Sequence, residues 1–140
     1  MNVLVDTSVW SLALRRGAAG RLSALQQKVV VELSALIDEA RACMAGCIRQ
    51  EVLSGISSSA QFDRLRSKLA AFEDLPAASF THVQAARFYN RCRARGVQGS
   101  HIDFLICALA HEHRTPIFTL DADFERYANI CGIELYRARD

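Results

Sequence analysis

A chain of 140 residues with 51% apolar side chains is long enough for one packed domain with its own core. No apolar run approaches the roughly 20 residues of a membrane-crossing helix, no leader-like pattern is visible, and the five cysteines form no Cys-x-x-Cys pair, so a cytoplasmic chain with free thiols is expected. A net charge of +2 does not mark a nucleic-acid binder, although fifteen arginines against two lysines suit bidentate phosphate contacts as well as a compositional bias toward arginine.

Residues 2–5 form a short apolar run that reads as a buried first strand ending at Asp6. Thr7 or Ser8 can cap a helix through about Leu14, and residues 15–20 read as a loop. Over 21–41, Leu22, Leu25, Val29, Leu33, Leu36 and Ala40 recur on one side of a helix. Residues 43–46 are a weak strand candidate, 47–53 a helix, and 55–59 a break. The helical stripe returns over 60–72 with Phe62, Leu65, Leu69 and Phe72. Pro76 marks a break, Ser79 caps a helix that Gly96 ends, and Gly99-Ser100 precedes a helix over 101–112. Residues 116–119 read as a strand, Asp121 caps a helix to about Asn129, and 133–136 read as a last strand. Strands alternating with helices, without period-two polarity, predict a three-layer α/β/α fold around a central, mainly parallel twisted sheet, in a single domain over 1–140.

Ligands of such sheets bind at the carboxyl ends of the strands. Asp6 and Asp121 both sit there, so they can be neighbours despite their separation. Each alone is equally a cap or turn residue, as is Asp123 in the first turn of the following helix. Glu51 shares the inward side of its helix with Ile48, where an arginine partner is the competing explanation. Asp103 is the sharpest case. Ile102, Phe104, Leu105, Ile106 and Cys107 surround it, and a buried acid needs a partner or a metal unless its first-turn position suffices. Acids converging in a fold repel one another unless a cation joins them, and one or two Mg²⁺ or Mn²⁺ ions are the natural answer. Thr7, Ser8 and Thr119 lie beside the acids and could orient them. A metal so held activates water and neutralises charge on a phosphoryl oxygen, which favours a phosphodiester substrate.

The chain resembles the PIN-domain family, and more narrowly its VapC-type toxins, over nearly its whole length. The resemblance is carried by Val-Asp-Thr-Ser-Val-Trp at 5–10, Arg-Gln-Glu-Val-Leu at 49–53, Ile-Asp-Phe-Leu-Ile-Cys-Ala-Leu-Ala at 102–110 and Thr-Leu-Asp-Ala-Asp-Phe at 119–124. Each motif is weak alone, and the order and spacing of all four are specific. The resemblance implies a Mg²⁺-dependent endoribonuclease with Asp6, Glu51 and Asp103 as acidic ligands. It implies Asp121 as the fourth, with Asp123 at another commonly acidic position, and Thr7 and Thr119 as supporting hydroxyls. It further implies a homodimer silenced by a cognate antitoxin protein. A non-catalytic RNA- or partner-binding protein of the same fold is the alternative.

Arg91, Arg93 and Arg95 near a helix end, and Arg15 and Arg16 after the first helix, are candidate RNA contacts. Arginines at a helix C-terminus or in a solvent loop also need no such role. His111 and His113 are two apart, which does not fit His-Glu-x-x-His zinc chemistry. A receiver domain would need a lysine after a strand, and a haloacid-dehalogenase phosphatase would need Asp-x-Asp where Asp6-Thr7-Ser8 stands.

Overall fold

The computed structural model describes residues 1–14 and 21–140, so the expectations for Arg15 and Arg16 lie outside the described residues. The elements in chain order are β1 (Val3–Val5), α1 (Thr7–Leu14), α2 (Ala24–Asp38), β2 (Ala42–Cys43), α3 (Gly46–Leu53), α4 (Ser59–Leu69), α5 (Ser79–Ala94), α6 (His101–His113), β3 (Ile117–Phe118) and α7 (Asp123–Cys131).

The three strands pair in parallel in the order β2-β1-β3. Single parallel bridges, Met44 to Asp74 and Ile117 to Leu135, extend the sheet by one position at each edge. Val3, Leu4 and Val5 are fully buried, as a central strand covered on both faces requires. Right-handed crossovers put connections that run in opposite directions across the sheet on opposite faces. The contacts agree: α1 packs on α2 and α3, and α3 on α4, while α5, α6 and α7 pack together. The reversal falls between β1 and β3, and the crevice at their carboxyl ends is the place for a ligand.

Helix limits follow local chemistry. The 21–41 stripe becomes α2 from Ala24 because Ser23 and Gln26 close a capping box, Oγ accepting from Gln26 N (3.1 Å) and Oε1 accepting from Ser23 N (3.0 Å). Ser79 is not the cap expected of it. It is the first residue of α5, and Thr81 Oγ1 instead accepts from Ala78 N (3.0 Å). Asp121 stands two residues before α7, where Oδ1 accepts from Asp123 N (2.9 Å). The last predicted strand shrinks to the bridge at Leu135, with Tyr136 N donating to Ile117 O (2.8 Å). No helix among the described residues is long and apolar enough to cross a membrane.

The C-terminal segment is held on α2 by a buried carboxylate. Glu32 Oε2 accepts from Tyr136 Oη (2.6 Å), Arg139 N (3.0 Å) and Arg139 Nε (2.9 Å). Burial pushes this carboxyl up, but the bonds from Arg139 and Tyr136 overcome it and hold the group at about 2. The folded value lies below the unfolded one, so the stabilisation is full above about pH 4.5 and is lost as pH falls toward 2. Between pH 5 and 2 the wild type should lose on the order of 2–3 kcal/mol more stability than Glu32→Gln, in denaturant titrations at each pH.

Candidate active site

β1 and β3 end side by side, and their ends carry Asp6 and Thr119. The backbone N–H of Asp6 donates to Phe118 O (2.9 Å), which fixes the register of the two ends. Asp6 is 5% exposed. Its backbone carbonyl accepts from Val9 N (3.1 Å) and Trp10 N (3.2 Å), so the main chain starts α1 and the carboxylate is left for other work. Asp6 Oδ2 accepts from Thr119 Oγ1 (2.7 Å) and Ser8 Oγ (2.9 Å). Ser8 Oγ in turn accepts from Leu120 N (2.9 Å), and Thr119 Oγ1 from Asp121 N (3.0 Å), so both hydroxyls are aligned by backbone donors. Thr7 turns the other way and donates to Glu51 Oε1 (2.7 Å). The three hydroxyl residues singled out by sequence thus touch the acids or the backbone beside them.

Glu51 and Asp103 come within electrostatic reach of each other because α3 packs against α6. Ser100 caps α6, accepting from Asp103 N (3.0 Å), which sets Asp103 in the first turn. Asp103 Oδ2 then accepts from the hydroxyl of Tyr127 on α7 (3.1 Å). Tyr127 carries no sequence signal of this role, because an aromatic on the inward side of a helix reads as core. Its ring is 1% exposed and packs on Phe104 and Phe124, so core it also is.

Electrostatics link the acids to one another. Burial raises the Glu51 carboxyl, Thr7 opposes this, and the charges of Asp6 and Asp103 raise it further. Asp103 is raised by burial first, is lowered by Tyr127 and Ser100, and is raised by the charge of Asp121. Asp123 differs from Asp121: its Oδ1 accepts from Arg126 Nη2 (2.5 Å), so its charge is already matched on the surface. Among the described residues no lysine or arginine bonds to Asp6, Glu51, Asp103 or Asp121. Cys47, one turn before Glu51, is pushed up to about 11 by burial and by the Glu51 charge, which removes it as a thiolate nucleophile.

The donor set fits a hard divalent cation. It consists of carboxylate oxygens with hydroxyls behind them, and among the described residues no protein cation bonds to them to relieve their mutual repulsion. Among the described residues, however, no three acidic, histidine or cysteine side chains are gathered closely enough to grip an ion unaided.

Of the predicted RNA-contacting arginines that are described, Arg91 and Arg93 lie against aromatic rings of their own helix. Arg91 lies over the Phe88 ring at 5.4 Å, and Arg93 lies over Tyr89 while donating from Nη1 to its hydroxyl (3.1 Å). Arg95 is exposed at the C-cap of α5.

A family profile described as PIN domain matches residues 3–130. The chain belongs to the PIN-domain family. Within it the VapC group is indicated by a relative named VapC ribonuclease Mb1587, from Mycobacterium bovis. That protein is 33% identical over 138 residues, covering 94% of this chain and 96% of the relative. Two solved structures share the PIN fold. FitAcB from Neisseria gonorrhoeae has a TM-score of 0.73 and 18% identity, covering 97% of each chain. VapBC2 from Rickettsia felis, bound to a DNA fragment from their promoter, has a TM-score of 0.71 and 17% identity, covering 97% of this chain and 98% of the other.

Proposed function

We propose that this PIN domain is a Mg²⁺-dependent endoribonuclease that acts in the cytoplasm as the toxin of a type II toxin–antitoxin pair. We read it as a homodimer, one domain over residues 1–140, silenced by a cognate antitoxin protein. The observation that carries this reading is the set of four acids, Asp6, Glu51, Asp103 and Asp121. Hydroxyls buttress Asp6, Glu51 and Asp103, charge repulsion links the acids, and among the described residues no lysine or arginine bonds to them. The relative named VapC ribonuclease supports the substrate class, and the VapBC2 structure supports a protein partner.

In this reading Asp6, Glu51, Asp103 and Asp121 hold Mg²⁺, or Mn²⁺ in its place, directly or through water, and Asp123 stands outside the set. The bound ion supplies a water acidic enough to attack at neutral pH and offsets charge on the phosphoryl oxygen. Thr119 and Ser8 fix the Asp6 carboxylate, Thr7 fixes Glu51, and Tyr127 fixes Asp103, so the acids need little reorganisation during reaction.

Expression of the wild-type chain alone should stop growth and create new RNA 5′ ends, and Asp6→Asn should do neither. Equal 5′ ends from both chains would overturn the reading, and no new ends from either would favour a non-catalytic binding protein. Metal loading has its own signature. A ligand present at 100 times its dissociation constant stabilises the fold by about 2.7 kcal/mol. Saturating Mg²⁺ should therefore raise the melting temperature of the wild type by several degrees and leave Asp103→Asn almost unmoved.

A further inference from the structure

α1 and α3, the two helices that begin beside Asp6 and carry Glu51, both end at one polar groove. The groove is about 360 Å³ and is lined by Leu14 at the end of α1, by Gly55, Ile56 and Ser57 after α3, and by Gln61, Arg64, Leu65 and Lys68 of α4. Among the described residues its charged lining is Arg64 and Lys68, both basic. Arg64 and Lys68 stand four residues apart, so they project from one face of α4, both exposed. Other arginines of this region are matched: Arg66 by Asp63 at 3.8 Å, and Arg49 by Asp74 at 2.8 Å. Among the described residues Arg64 and Lys68 have no carboxylate at ion-pair distance.

The groove is close to the acids. Eight residues of α1 span ~12 Å, which separates Asp6 from the Leu14 end. Gly55 follows Glu51 by four residues, two past the end of α3. The groove that carries Arg64 and Lys68 thus begins where the helices bearing the site end, so a strand with a phosphate at the acids has a path into it.

We propose that this groove binds the sugar–phosphate backbone of single-stranded RNA flanking the cut site, with Arg64 and Lys68 each meeting a phosphate. The inference rests on the reading of the chain as an RNA-cutting enzyme. Contacts of this kind set the strand's register without reading bases, so they act on affinity more than on the chemical step.

The test uses the full chain carrying Asp6→Asn, to prevent cleavage, and a fluorescein-labelled single-stranded RNA followed by anisotropy across a potassium chloride series. Adding Arg64→Ala and Lys68→Ala should weaken binding about tenfold at low salt. It should also flatten the slope of log affinity against log salt by about 1.4, at roughly 0.7 per phosphate contact. Arg114→Ala, at the exposed C-cap of α6, is the charge control and should change neither. In the cleaving chain the α4 pair should raise KM about tenfold and leave kcat within about twofold. Unchanged affinity and slope, or an equal loss in Arg114→Ala, overturns the proposal. So does an α4 pair that keeps its RNA affinity but loses a protein partner, since the groove would then be a protein-docking surface. Failure of the broader reading looks different: the wild type itself would not cut RNA, or Asp6→Asn would cut as well as the wild type. Both α4 side chains are exposed, so the melting temperature should not fall.

Discussion

Asp103→Asn should lower RNA cleavage by about 10³-fold and, without metal, make the protein more stable. The two effects have one cause. Asp103 is half-buried, its carboxyl is raised by burial, and Asp121 presses on it while Tyr127 supplies a single hydroxyl. No cation of the protein offsets its charge among the described residues. An amide of the same shape keeps an oxygen that accepts from Tyr127 and removes the repulsion among Asp103, Glu51 and Asp121. The metal-free chain should gain about 1 kcal/mol, seen as a higher melting temperature in EDTA. Excess Mg²⁺ should reverse the order of stability, because the wild type then gains the binding free energy that the variant has lost. Losing several kcal/mol of charge stabilisation at the phosphoryl group corresponds to the rate loss. A variant less stable than wild type in EDTA would contradict this account of the site's electrostatics, whatever its activity.

Gly99→Ala should also disable the enzyme, though no reacting group is removed. A Cβ at residue 99 would sit 2.5 Å from the Tyr127 hydroxyl oxygen, 2.8 Å from its ζ carbon and 2.9 Å from the Phe104 ring. The Tyr127 ring cannot swing aside easily, since it is 1% exposed and wedged between Phe104 and Phe124. One extra methyl must therefore push the hydroxyl off Asp103 or shift the turn that carries Ser100, the cap of α6. Overpacking of this sort costs roughly 1–3 kcal/mol. Misplacing a catalytic group by about 1 Å can cost about 10²-fold in rate. The expected result is a Tm lowered by several degrees together with a cleavage rate down by about 10²-fold. The control is Tyr127→Phe, which removes the bond without the clash and should keep most of the stability while losing about tenfold in rate. A Gly99→Ala chain with unchanged rate would show that Tyr127 does not position Asp103.

Parts of this arrangement were legible in the sequence for physical reasons. Asp103 stands out because a lone acid in an apolar helix has few innocent explanations. Asp6 and Thr119 stand out because short buried strands end at them, and parallel strands align their ends. The fold class follows from strands that are apolar on both faces and alternate with helices. What the sequence left open was local. Asp121 and Asp123 lie in one turn with equal chemistry, and only the Arg126 partner, one turn into α7, separates them. The Asp74 bridge is a single residue at the sheet edge, too short to leave a pattern. Arg91 and Arg93 were open to a phosphate or a structural reading, because a charge cluster does not reveal the aromatic rings beside it. Glu51 was open to an arginine partner, but Arg49 on the same helix reaches Asp74 and the carbonyl oxygens of Leu69 and Phe72 instead.

The most direct test of the central claim is a Mg²⁺ titration of RNA cleavage by the purified chain, with wild type and Asp6→Asn side by side. Saturable, EDTA-reversible cleavage by the wild type and none above background by the variant is the predicted result. Cleavage that persists in EDTA, or that is equal in the two chains, would contradict it.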